Sequence, residues 1–199
     1  ASDVYKRQLL GLGSLLAFPG SMIGALLCGV AFWKSKNLPL TLIAEAFIDP
    51  DDIIITEGPT YLGALQAFSA FEPDVRAIPF DEDGMRMDLL EEELKRIGKD
   101  NPRLKFCYTI PNFQNPGGVT MTAERRRRLL ELAHEYNFMV VEDDPYGRLR
   151  YDGGHQVPLK AMDDSVIYLG TISKMLGPGL RTGWIAAPEA VLARINLVK

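Results

Sequence analysis

The sequence predicts an α/β fold, three layers deep (α/β/α) around a mostly parallel sheet. Two observations predict it. From residue 40 onward, short apolar runs of strand length alternate with longer stretches of helical period, which is the pattern of repeated strand–helix units. The short runs contain few polar residues, as expected of strands that helices cover on both faces. The chain has 199 residues, 47% of them hydrophobic. That is enough to fill the core of one domain, or of a piece of a larger one.

The elements follow in order. Residues 40–48 read as the end of a helix stopped by Asp49-Pro50. Residues 52–56 form a short apolar strand. Pro59 starts a helix that carries Leu62, Leu65 and Phe68 on one face. Residues 75–80 are the next strand. Asp88 caps a helix through Ile97, with Glu91, Glu92 and Glu93 in its first half. Residues 104–110 are a strand. Thr122 caps a longer helix through Tyr136, with Leu129, Leu132 and Ala133 toward the core and the run from Arg125 to Arg128 toward solvent. Residues 138–142, 166–170 and 183–187 are further strands, and Pro188 begins a final helix.

Residues 39–199 read as one large domain, and residues 1–38 stand apart from it. Residues 9–33 are apolar but lack the Leu/Ile/Val density of a membrane span, and Gly11, Gly13, Gly20, Gly24 and Gly29 weaken any helix there. Three readings stay open. Lys6-Arg7 ahead of an apolar run fits a signal peptide. Residues 3–8 resemble the translation of a sequencing-library adapter, which would make the segment non-native. The codons for Phe32-Trp33-Lys34-Ser35 can be read one base later as Ser-Gly-Ser-Gln, with the glycine forced by the code, which fits a shifted reading frame.

Composition narrows the function. A net charge of −4 with no basic face argues against a nucleic-acid partner for this segment. Cys28 and Cys107 fit a reducing, cytoplasmic setting without a disulfide framework. With only His134 and His155, and no ligand spacing around the cysteines, no metal site is expected.

In parallel sheets ligands collect beyond the carboxyl ends of the strands. Four polar groups fall there. Asn115 sits in Gln114-Asn115-Pro116-Gly117, and Asp143 and Tyr146 in Glu142-Asp143-Asp144-Pro145-Tyr146. Lys174 sits in Thr171-Ile172-Ser173-Lys174, seven residues before Arg181. Taken singly these are a turn, a loop start and a surface lysine. Together they suit a cofactor with both an aldehyde and a phosphate, pyridoxal 5'-phosphate. Lys174 would form the Schiff base and then act as base on the substrate α-proton. Asp143 would pair with the ring nitrogen and raise its pKa. Tyr146 and Asn115 would hydrogen-bond the ring oxygen. Thr171, Ser173 and Arg181 would hold the phosphate. Tyr61, in Pro59-Thr60-Tyr61, would stack on the ring, or is plain helix packing.

Through Pro59-Thr60-Tyr61, Asn115-Pro116, Asp143-Asp144-Pro145-Tyr146 and Ser173-Lys174 with Arg181, residues 40–199 resemble the large domain of fold-type I pyridoxal-phosphate-dependent aminotransferases. The likeness is greatest to the class I/II subgroup of 2-aminoadipate and kynurenine aminotransferases, which also takes in the cofactor domains of MocR-like regulators. The resemblance implies bound pyridoxal phosphate, a homodimer, and amino transfer from an amino acid to a 2-oxo acid.

The departures from that family concern both ends. Its Ser/Gly-Ser-Gln-type phosphate loop, at a helix start ahead of residue 40, is not found, and residues 9–38 stand in its place. Its C-terminal small domain, which supplies an arginine for the substrate carboxylate, does not follow. As a fragment the chain is expected to be inactive and only marginally stable. Two rivals keep the cofactor: the effector domain of a MocR-like transcriptional regulator, and a C–S lyase or decarboxylase.

Overall fold

The computed structural model describes residues 37–180 and 182–198. The readings made for residues 1–36 and for Arg181 lie outside the described residues.

Seven strands form one sheet: β1 (Ile53–Gly58), β2 (Asp74–Asp81), β3 (Gly84–Met85), β4 (Leu104–Thr109), β5 (Met139–Asp143), β6 (Ile167–Thr171) and β7 (Gly183–Ala186). Their order across the sheet is β3-β2-β1-β4-β5-β6-β7. The five inner strands run parallel. The short edge strands β3 and β7 are antiparallel to their neighbours. The helices are α1 (Leu38–Phe47), α2 (Leu62–Ser69), α3 (Met87–Ile97), α4 (Ala123–Tyr136), α5 (Leu159–Met162) and α6 (Glu189–Val198).

The strand runs are apolar throughout because alternate side chains feed two separate cores. Ile54, Phe106, Val141 and Leu169 pack with α1, α2 and α6 on one face. Ile53, Ile55, Cys107, Val140 and Val166 pack with α3, α4 and α5 on the other. The expected three-layer α/β/α architecture is therefore the observed one. Each Leu or Ile fully buried this way contributes about 1.5–3 kcal/mol relative to exposure.

Some details differ from expectation. α2 begins at Leu62 with Tyr61 as its N-cap, and it buries Gly63, Ala64, Ala67 and Phe68. Leu62 is 65% exposed, so the Leu62/Leu65/Phe68 face is corrected. Small residues let α2 press close to the sheet, and only Phe68 reaches deep, edge-on to Phe106 and Tyr108. The N-cap of α3 is Arg86 rather than Asp88; Asp88 sits in the first turn and pairs with the Arg86 guanidinium. Gly98, at φ 89°, ends that helix in a conformation costly for any other residue. Thr122 caps α4 as expected, accepting from Arg125 N.

The solvated arginine run is the largest correction. Arg127 is exposed, and Arg128 pairs with Glu91 and Glu131. Arg125 grips Asp81 with both guanidinium nitrogens, at 2.5 and 2.9 Å. Arg126 is 1% exposed. Its guanidinium donates to Met121 O, Val157 O, Pro111 O and Asn112 Oδ1 at 2.9–3.2 Å. A buried guanidinium is tolerated because four of its five donors meet an oxygen at hydrogen-bond distance and the Glu142 carboxylate lies 3.9 Å from Nη1.

Candidate active site

The carboxyl ends of β1, β4, β5 and β6 lie side by side because these strands are parallel neighbours. Each runs into a segment bearing one or more of the polar residues singled out above. β1 leads to Tyr61, β4 to Asn115, β5 to Asp143 and Tyr146, and β6 to Thr171, Ser173 and Lys174. All seven line one cavity of about 380 Å³. Its wall also takes in Asn37, Leu38 and Pro39 at the amino end of α1, and Thr182 and Gly183 at the start of β7.

Lys174 is exposed on a tight turn that Met175 N and Leu176 N close by donating to Ile172 O, at 3.0 and 2.9 Å. Its ammonium stands 5.8 Å from the centre of the Tyr146 ring. Asp143 is the last residue of β5, and the Tyr108 hydroxyl donates to its Oδ2 at 2.7 Å. Burial pushes the Asp143 carboxyl up to about 6; the Tyr108 hydrogen bond opposes this and the neighbouring Asp144 charge adds to it. No cation touches Asp143 among the described residues, so its charge suits a cationic ring nitrogen. Burial, and then the Asp143 charge, push the Tyr146 phenol up.

Two features bear on phosphate binding. The Thr171 hydroxyl donates to Thr182 O at 3.0 Å and accepts from Ser173 N at 3.1 Å. Its one proton thus holds the end of β6 to the start of β7. At the amino end of α1, Asn37 Oδ1 already caps Leu40 N at 3.3 Å, and Pro39 has no N–H to offer. The helix start ahead of residue 40, where the resemblance puts the family's phosphate loop, does reach the cavity.

It also missed the polar layer beneath. Glu57, at the end of β1, is buried and accepts from Thr109 Oγ1 (2.6 Å), Ile110 N (3.1 Å) and Gln114 Nε2 (3.4 Å). Desolvation pushes its carboxyl up to about 7, against these three hydrogen bonds. Asp144 accepts from Asn112 Nδ2 (2.9 Å), Gly147 N (2.9 Å) and the Tyr168 hydroxyl (3.2 Å). The available signal was a carboxylate inside an otherwise apolar strand, since a buried polar group has to find partners. Among the described residues no group of His, Cys, Asp or Glu is placed to hold a metal ion. No described helix is long and apolar enough to cross a membrane.

Comparison with known proteins places this geometry. The family model described as "Aminotransferase class I and II" matches residues 35–199. A short match at residues 5–49 is to the family described as "Thiamine-precursor transporter protein (ThiW)". The aromatic-amino-acid aminotransferase 1 of Thermococcus litoralis is 54% identical over 162 residues, covering 80% of this chain and 39% of that protein. An uncharacterized HTH-type transcriptional regulator of Bacillus subtilis, YisV, is 37% identical over 80% of this chain and 32% of its own length. Among solved structures, the multiple substrate aminotransferase of Thermococcus profundus superposes with a TM-score of 0.76 at 38% identity, over 99% of this chain and 55% of that one. The α-aminoadipate aminotransferase LysN of Thermus thermophilus, solved with N-(5'-phosphopyridoxyl)-L-leucine, gives 0.74 at 33% identity, over 99% and 54%. The chain spans about half the length of these relatives or less. Over that span, sequence and fold agree that it belongs to the class I and II aminotransferase family.

Proposed function

We propose that this chain is the cofactor-binding large domain of a cytoplasmic, homodimeric aminotransferase that uses pyridoxal 5'-phosphate to move an amino group from an amino acid to a 2-oxo acid. The observation that carries the proposal is the convergence of Tyr61, Asn115, Asp143, Tyr146, Thr171, Ser173 and Lys174 from four strand ends on one cavity. The donor set fits the cofactor: a primary amine for its aldehyde, a carboxylate without a cation for its ring nitrogen, a phenol and an amide for its ring oxygen. When bound, the cofactor supplies an electron sink for the bond that breaks at the amino acid's α-carbon.

The chain's own residues divide the remaining work. Lys174 would hold the cofactor through its amine, and the same amine would carry the proton to and from the substrate α-carbon. Asp143, still mostly ionised at neutral pH, holds the ring nitrogen protonated. Tyr146 and Asn115 orient the ring by hydrogen bonds, and Tyr61 covers a face. Ser173, Thr171 and Arg181 serve the phosphate. The full-length Lys174→Ala protein tests the reading. It should fold yet lose the visible absorbance of lysine-bound cofactor and all amino transfer. A lysine-bound cofactor that persists in this variant overturns it.

A second reading is favoured by the similarity to YisV: the same domain as the effector-sensing part of a transcriptional regulator. Sequence-specific DNA binding by the full-length protein, altered by an amino acid and without turnover, would favour it over the enzyme.

A further inference from the structure

β1 and β4 are neighbours whose pairing ends at Thr56 and Tyr108. Beyond that point each strand feeds one wall of the cavity, the segment to Tyr61 and the loop bearing Asn115. The ladder no longer sets the distance between those walls.

Gln114 bridges them. Its amide nitrogen donates to Pro59 O at 2.9 Å and lies 3.4 Å from Glu57 Oε2, while its amide oxygen accepts from Gly117 N at 2.7 Å. One side chain, 2% exposed, thus spends both N–H donors on the β1 side and its acceptor on its own loop. Glu57 is fixed in turn by Thr109 Oγ1 and Ile110 N, so the bridge rests on a carboxylate that β4 itself holds. Gln114 directly precedes Asn115, and Pro59 precedes Tyr61 by two residues. The buried Thr60 hydroxyl between them has no hydrogen-bond partner among the described residues. A Cβ at Gly117 would overlap the Phe80 ring and meet the Gln114 amide oxygen at 2.9 Å, so a larger residue there would push on the bridge.

We propose that Gln114, seated on the buried Glu57 carboxylate, is a positioning residue that fixes Tyr61 and Asn115 relative to each other across the cavity. The proposal rests on the cofactor reading above. Without the bridge, the stacking ring and the amide on the ring oxygen shift independently, while Lys174 and Asp143, on β6 and β5, keep their places. The prediction is therefore selective: cofactor still bonds to Lys174, but held less tightly and in a looser pose.

The test uses the full-length protein with Gln114→Met, which keeps the volume and deletes every bridge bond, and Gln114→Asn, which stays polar but is one methylene short. Three readouts are taken: the pyridoxal phosphate dissociation constant, the kcat and KM for amino transfer, and amide hydrogen exchange of the apo-protein. Each variant should weaken cofactor binding about tenfold. Each should lower kcat more than it raises KM. Exchange should accelerate at residues 59–61 and 111–118 but not at 167–174. If either variant folds with wild-type affinity and kcat, or if exchange accelerates evenly across the sheet, Gln114 is merely structural and the proposal falls. A wild-type protein that takes no cofactor sinks the aminotransferase reading and this role with it. Wild-type binding matched by both variants sinks this role alone.

Discussion

The Tyr108 hydroxyl donates to Asp143 Oδ2 at 2.7 Å, from one strand to its neighbour beneath the cavity floor. That bond is the main force holding the Asp143 carboxyl down against burial, which has already raised it to about 6. Tyr108→Phe removes the donor and little else, so the carboxyl should rise further. A cofactor with a cationic ring nitrogen needs Asp143 ionised, and its affinity for the apo-protein should fall as pH drops through the Asp143 pKa. The acid limb of a pH–affinity profile should lie near 6 in the wild type and higher in Tyr108→Phe. An unmoved limb would separate Tyr108 from this role.

Tyr61 depends on a residue two positions away. A Cβ at Gly63 would overlap the far end of the Tyr61 ring. Alanine at 63 favours the helix by up to about 1 kcal/mol, so the fold should tolerate it. The ring, however, must swing from its place on the cavity wall. Gly63→Ala should leave the melting temperature nearly unchanged and weaken cofactor binding about three- to tenfold, the worth of one aromatic stack. The effect should vanish when Tyr61 is already alanine, which a double-mutant cycle measures directly.

These two cases show what the sequence could and could not reveal. The sheet was legible because buried parallel strands are apolar on both faces, and Ile54 and Ile55 each serve a different core. The two-residue β3 carries too little pattern to be seen. The face of α2 was misread because Leu62 looks apolar, although the close packing uses Gly63 and Ala64. In the site, residues that line the cavity fall at strand ends, where fold class alone directs attention. Their supports do not. Tyr108 reads as one more apolar strand residue, Gln114 as part of a turn, and Arg126 as one of four like charges. What distinguishes each is a tertiary partner distant in sequence: Asp143, Pro59 and Pro111 respectively.

Glu142 gives a pH dependence of stability. Its two oxygens accept Leu159 N and Lys160 N, both at 2.9 Å, capping the start of α5. Desolvation nevertheless pushes its carboxyl up to about 7, with the Asp144 charge adding to the effect. Its folded pKa therefore lies above the unfolded value of about 4.3. The folded state binds the proton more tightly, so this stabilisation is full below about pH 4 and is lost as pH rises through 7. Its span is about 4 kcal/mol. Glu142→Gln cannot titrate, and its amide nitrogen must face a backbone N–H. The variant should melt below the wild type at every pH. The gap should widen as the apo-proteins are taken from pH 8 to 5.5. A gap that narrows instead would reverse the assigned direction.

Arg126 and Arg127 are adjacent in sequence and opposite in consequence. Arg127 is exposed and carries no ion pair among the described residues, so Arg127→Ala should change stability by less than about 0.5 kcal/mol. Arg126→Ala strips Met121 O and Asn112 Oδ1 of this donor, leaves Pro111 O with Met121 N alone, and leaves Glu142, 3.9 Å away, without its nearest cation. Breaking a buried charge cluster from one side costs about 3–5 kcal/mol. The damage should also travel, because Asn112 passes the hold on to Asp144, and Asp144 to Gly147 N beside Tyr146. Arg126→Met, which fills the volume without the donors, separates the two effects. It should recover part of the lost stability yet leave Tyr146 loosely held, seen as weaker cofactor binding by the full-length protein. If Arg126→Met binds cofactor as the wild type does, the chain from Arg126 to Tyr146 carries stability alone.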